Sequence, residues 1–78
     1  MPTIRRFTRC RIEMYFADHG DPHFHVITLD NKRVSVLIGD GSIVAGSAKA
    51  KDLAEALDWA KDNRSELMTL WTRFSEEA

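Results

Sequence analysis

The spacing of apolar residues changes period once along this chain, near residue 47, and that switch limits the fold more than any other feature. Between residues 11 and 45 apolar residues alternate with polar ones or gather in short β-branched runs; from residue 50 onward they recur every three or four. Alternation by two marks a half-buried strand, and recurrence by three and four marks a helix face. The chain therefore reads as strands first and helices after, which is the α+β class.

The strand half can be read in detail. Arg11-Ile12-Glu13-Met14-Tyr15-Phe16 alternates strictly, with Ile12, Met14 and Phe16 on one face and Arg11, Glu13 and Tyr15 on the other. Ile4 to Phe7 is a candidate for a short strand before it. Asp18-His19-Gly20-Asp21-Pro22 is a turn cluster, and His23 to Leu29 is the next strand. Asp30-Asn31 closes a tight hairpin into Arg33–Ile38. Gly39-Asp40-Gly41 is a second turn, because glycine relieves the steric cost of positive φ, and Ser42–Ala45 follows as a short last strand. Short connections imply antiparallel neighbours, hence a β-meander of about four strands.

In the second half Ala50, Leu53, Leu57 and Ala60 form one apolar stripe, with the helix starting at Ser47 or Ala48. Asn63-Arg64-Ser65-Glu66 has the form of a capping box: Asn63 accepts from an orphan backbone N–H and Glu66 reaches back. One helix thus stops near Asp62 and a second begins, with Leu67, Leu70, Trp71 and Phe74 on one face and a fraying end from Ser75 to Ala78. Two C-terminal helices are expected to cover one face of the sheet and leave the other open.

Composition narrows the function classes. At 78 residues the chain has room for one domain, residues 1–78. The longest apolar run is Met14 to Ala17, far short of the roughly 20 residues of a membrane span, and the first residues lack the apolar stretch of a secretory signal. A lone Cys10 forms no internal disulfide, which fits a cytoplasmic protein and a semi-buried structural thiol. A formal charge of −1 argues against binding nucleic acid by bulk attraction. At this length a core supplies only about 3–5 kcal/mol, so tight packing, a bound ion or a homo-oligomer is expected to help, and any active site should be shallow.

Charge is distributed unevenly. Residues 1–16 carry Arg5, Arg6, Arg9 and Arg11 against Glu13, whereas residues 17–30 carry Asp18, Asp21 and Asp30, no Lys or Arg, and every histidine. His23 and His25 point to the same side of their strand, opposite the better core pair Phe24 and Val26. If the strands on either side of the turn pair, one patch on the open face gathers Asp18, His19, His23, His25, Arg11 and Tyr15. Three readings compete for it. The patch is a set of surface histidines without chemistry. It is a metal site, in which His23 and His25 with His19 or Asp18 hold zinc or another divalent ion. Or it performs acid–base chemistry on RNA, with His23, His25 and His19 as proton-transfer groups, Arg11 as phosphate clamp and Asp18 orienting an imidazole. Ile27 and Leu29 share the histidine face, and Leu37 is a candidate to join them. Together with Tyr15 they suggest a surface for a partner protein unless the strand register turns them inward.

The remaining features read more simply. Trp59 lies off the helix stripe as a boundary residue, and Trp71 lies on its stripe as core. Arg5, Arg6 and Arg9 suit a charged edge that deters aggregation better than a phosphate-binding row. Gly39-Asp40-Gly41 lacks the Lys-Ser/Thr ending and the following helix of a phosphate loop.

Met1-Pro2-Thr3-Ile4, Arg11-Ile12, Asp18-His19-Gly20-Asp21-Pro22-His23-Phe24-His25-Val26, Gly46-Ser47, Trp59, Asn63-Arg64-Ser65-Glu66-Leu67 and Trp71 form a recurring pattern. On these residues the chain resembles a family of small bacterial proteins catalogued only as a domain of unknown function, whose signature is Asp-His-x-Pro-Pro-His-x-His-Val. The chain departs from that pattern at Asp21, at Thr8-Arg9-Cys10, and at Lys49 and Ala50, where prolines are usual. The resemblance implies a bacterial, cytoplasmic protein whose gene lies beside that of another small protein, as in toxin–antitoxin pairs. The leading expectation is accordingly a toxin–antitoxin-type module acting on RNA through the histidine cluster, with a cognate small protein as partner. The alternative is a non-catalytic interaction domain using the open sheet face, with or without a divalent metal.

Overall fold

A computed structural model of the chain describes residues 3–15 and 20–76. Five strands, β1 (Thr3–Arg6), β2 (Cys10–Glu13), β3 (His23–Thr28), β4 (Arg33–Leu37) and β5 (Ile43–Gly46), precede two helices, α1 (Ala50–Asp62) and α2 (Arg64–Glu76). The strands form one antiparallel sheet in sequence order, so the meander is as expected, with five strands where about four are expected. The added strand is the N-terminal segment, where Thr3, Arg5 and Arg6 pair with Glu13, Ile12 and Arg11.

Alternation sets the inner face. Cys10 and Ile12 of β2, Phe24 and Val26 of β3, and Val34 and Val36 of β4 are buried in one cluster with Leu53, Ala56 and Ala60 of α1 and Leu67 of α2. Helix α1 packs on β2 and β3. Burial raises the Cys10 thiol pKa, which leaves it a protonated packing group beneath α1.

Several local details differ from expectation. Helix α1 begins at Ala50, with Lys49 in extended geometry as its N-cap, rather than at Ser47 or Ala48. Its buried stripe is Leu53, Ala56 and Ala60, and Ala50 is exposed in the first turn. Asn63 does not use its side chain as a capping-box acceptor. Its Nδ2 donates to the Trp59 carbonyl at 2.7 Å, which satisfies one of the orphan acceptors at the end of α1.

The β3–β4 hairpin has a three-residue loop. Thr28 and Lys32 close it, and Asn31 takes φ of 64°, a left-handed conformation that asparagine tolerates. The Thr28 hydroxyl, though inward-facing, bonds Asp30 and the Lys32 backbone within this loop. Gly46 ends β5 at φ of 79°, and an added Cβ there would lie 2.1 Å from the Arg33 carbonyl oxygen, so only glycine fits.

Candidate functional site

The sheet face turned away from the core carries three rows of side chains, set by register. Glu13, His25 and Ser35 form the middle row. Arg11, Ile27 and Arg33 form the row toward the β3–β4 hairpin, and His23 stands beside Leu37 at the other end. Tyr15 follows β2 on the same side.

The middle row is organised by Glu13. Its carboxylate accepts from Arg11 Nε at 2.7 Å and from the Tyr15 hydroxyl at 3.1 Å, and the residue is only 6% exposed. Burial is the largest influence on its ionisation and opposes it. The two donated bonds and the charges of Arg11 and Arg33 outweigh burial, so its pKa lies below the ordinary glutamate value. Tyr15 shifts the other way: burial, and then donation to Glu13, raise its pKa and keep it a neutral donor.

The aromatic rings form a continuous line. Trp71 from α2 meets the His23 ring at 5.0 Å between centroids, His23 meets His25 edge-on at 5.1 Å, and His25 lies against Tyr15 at 4.5 Å. The Arg33 guanidinium stands 5.7 Å from the Tyr15 ring centroid, a cation–π contact. His23 Nδ1 lies 2.8 Å from the Asp21 carbonyl oxygen, which only accepts. That contact places the proton on Nδ1, so in the neutral ring Nε2 carries the lone pair. His25 Nδ1 lies 3.2 Å from the Ser35 hydroxyl, and its Nε2 is shielded from solvent.

The expected patch is thus assembled in part. His23, His25 and Tyr15 come together, and Arg11 joins them through Glu13 rather than reaching out as a separate clamp. Asp18 and His19 lie outside the described residues. Ile27 is on the histidine face but is 3% exposed, so it is not a contact surface: it sits between Arg11 and Arg33, whose alkyl stems shield apolar area. Leu29 is 80% exposed, but it stands in the hairpin loop beyond the far end of β3 from His23. Arg5 and Arg9 form no phosphate-facing row. Arg5 stacks over Phe7 and Trp59, and Arg9 approaches Asp52 at 3.4 Å.

Glu13, Ser35, Arg33 and Trp71 were not foreseen as members of the site. For Glu13 a signal was present, since alternation alone puts it between Arg11 and Tyr15. Ser35, Arg33 and Trp71 depend on strand register and helix docking. Among the described residues, no three His, Cys, Asp or Glu side chains are grouped to hold a metal ion. Among the same residues, no helix is long and apolar enough to cross a membrane.

A family model described as "Domain of unknown function (DUF4160)" matches residues 10–72, which include the strands and helices that build this face. No curated protein and no solved structure matches the chain.

Proposed function

The chain belongs to that family of unknown function, and from this premise we propose that it is a cytoplasmic toxin–antitoxin-type module acting on RNA through the polar face of β2–β4. The observation that carries the reading is the His23–His25 ring pair, continued by Tyr15 with Arg33 over its ring, beside the Arg11–Glu13 ion pair. Imidazoles next to a surplus of guanidinium charge suit a phosphodiester.

The roles divide by access. His23, half-buried at the strand start and protonated on Nδ1, is the proton acceptor. In the proposed step its Nε2 takes the 2′-OH proton, the 2′ oxygen bonds to phosphorus, and the bond from phosphorus to the 5′ oxygen breaks. The departing oxygen takes its proton from a second imidazole, for which His19 is the candidate, with Asp18 orienting a ring. His25, with Nε2 shielded and Nδ1 against Ser35, braces His23 as a positioning residue. Arg33 takes over the clamp role first assigned to Arg11, because Arg11 is held by Glu13. The cognate small protein encoded nearby would cover this face.

A second reading has an observation of its own. His25 is locked between Tyr15 and Ser35, which suits a rigid binding surface for a partner protein as well as catalysis. Purified protein incubated with RNA, with and without EDTA, separates the readings. RNA cleavage that persists in EDTA and falls in His23→Ala supports the acid–base module. Loss in EDTA supports a divalent-metal version completed by His19. Protein inert toward RNA that co-purifies with the neighbouring gene product supports the interaction domain and overturns the first reading.

A further inference from the structure

The two edges of the sheet are unlike. β1 carries Arg5 and Arg6, both exposed, so its open edge is charged. In β5 every residue is exposed, and from Gly41 to Ala48 the chain has neither a charge nor a proline. Ile43 is 45% exposed and Val44 57%. Ile43 stands opposite Val36 on the core side of the sheet, yet α1 packs on β2 and β3, so among the described residues no helix packs over the inner surface at β5. Native sheets guard a free edge with charge, proline, irregular pairing or a covering element. β5 has a register shift opposite Ser35 and Val36, and among the described residues it has none of the other three devices.

We propose that β5 is the pairing edge of a homodimer, in which it adds antiparallel to β5 of a second copy about a twofold axis and continues the sheet across both chains. Charge selects the occupant. An uncharged strand meets its own copy without like-charge opposition, whereas β1 paired with itself would set arginines against arginines. A β1–β5 pairing would be head-to-tail and leave free edges that grow into a filament, while a twofold β5 pair closes on itself. Centring the axis between Val44 and Ala45 puts Ile43 opposite Gly46 and Ser42 opposite Ser47, so the bulkiest exposed side chain lies over a residue without one. The paired segment is short, so the dimer is weak and concentration-dependent. It leaves the histidine face open and does not depend on the reading of that face.

Sedimentation of the full chain from about 5 µM to about 500 µM tests it. The weight-average mass should climb from that of one 8.9 kDa chain toward twice that value. Val44→Lys and Ile43→Lys should each weaken association by roughly tenfold or more with the circular dichroism spectrum unchanged. Arg6→Glu, on the other edge, should leave association as it is. In the wild type, amide hydrogen exchange at residues 42–47 should slow as concentration rises, a readout that needs no variant. A chain that stays monomeric over this range, or self-association that is indifferent to Val44→Lys, overturns the proposal. Exchange at 42–47 that ignores concentration overturns it too.

Discussion

Replacing Glu13 with glutamine removes one charge and almost no volume at the centre of the polar face, so its cost isolates what the carboxylate does. Glu13 accepts two hydrogen bonds, from Arg11 and Tyr15, at a nearly buried site. Bonds to a charged group contribute about 1.5–3 kcal/mol each, and neutral ones about 0.5–1.5 kcal/mol. In Glu13→Gln the amide oxygen still accepts from Arg11, and the hydroxyl of Tyr15 turns to accept from the amide nitrogen. The Tyr15 bond survives in neutral form, for a loss of about 1–1.5 kcal/mol, and the Arg11 bond keeps one charged partner and loses about 1 kcal/mol. Relief of carboxylate desolvation returns part of this, leaving a net destabilisation of about 1–2 kcal/mol at neutral pH.

The pH dependence sharpens the test. Because the folded pKa of Glu13 lies below its ordinary value of 4.5, the carboxylate contributes fully above pH 4.5. That contribution is lost as pH falls through the lowered folded value. Glutamine does not titrate. Urea unfolding of both proteins from pH 7 down to pH 3 should therefore show a stability gap that is constant above pH 4.5 and closes below it. A gap that persists unchanged to pH 3 would mean that glutamine merely packs badly, and a gap below about 0.5 kcal/mol at pH 7 would remove Glu13 from its organising place.

Other perturbations have equally direct outcomes. Gly46→Ala forces a Cβ against the Arg33 carbonyl at a left-handed φ, and should cost about 2–4 kcal/mol in chemical unfolding. Asn63→Ala removes the side-chain bond to the Trp59 carbonyl at the end of α1, and should cost about 1 kcal/mol, read as a lower urea midpoint with unchanged slope. Arg33→Gln should weaken RNA binding across sequences and reduce the slope of log affinity against log salt by about one, with stability little changed.

How much of this could be read from the residues follows from the range of each interaction. The alternation of His23 and His25 against Phe24 and Val26 is local, and it correctly separated the histidine face from the core. The helix pair was likewise readable from its period. The strand count was not, because Thr3–Arg6 has a weak pattern and becomes a strand by pairing with β2. Asn63-Arg64-Ser65-Glu66 has the letters of a capping box, but the amide side chain has a donor end as well, and the carbonyl of Trp59 took it. The sequence leaves Ile27 open between a partner contact and an inward-turned residue, because one strand does not reveal that arginines from both neighbouring strands flank it. The helix face of Trp71 points to the core; the residue packs against it and also meets His23, a contact decided by where α2 docks.

The claim that this face works on RNA through His23 is tested most directly with two short oligonucleotides that differ only by a 2′-deoxy substitution at the cleavage position. The account predicts that the wild type cleaves the all-RNA strand, leaving a 2′,3′-cyclic phosphate, and leaves the deoxy-substituted strand intact. It also predicts that His23→Ala lowers the rate by about a hundredfold or more. Equal cleavage of the two strands, or an undiminished rate in His23→Ala, would contradict it.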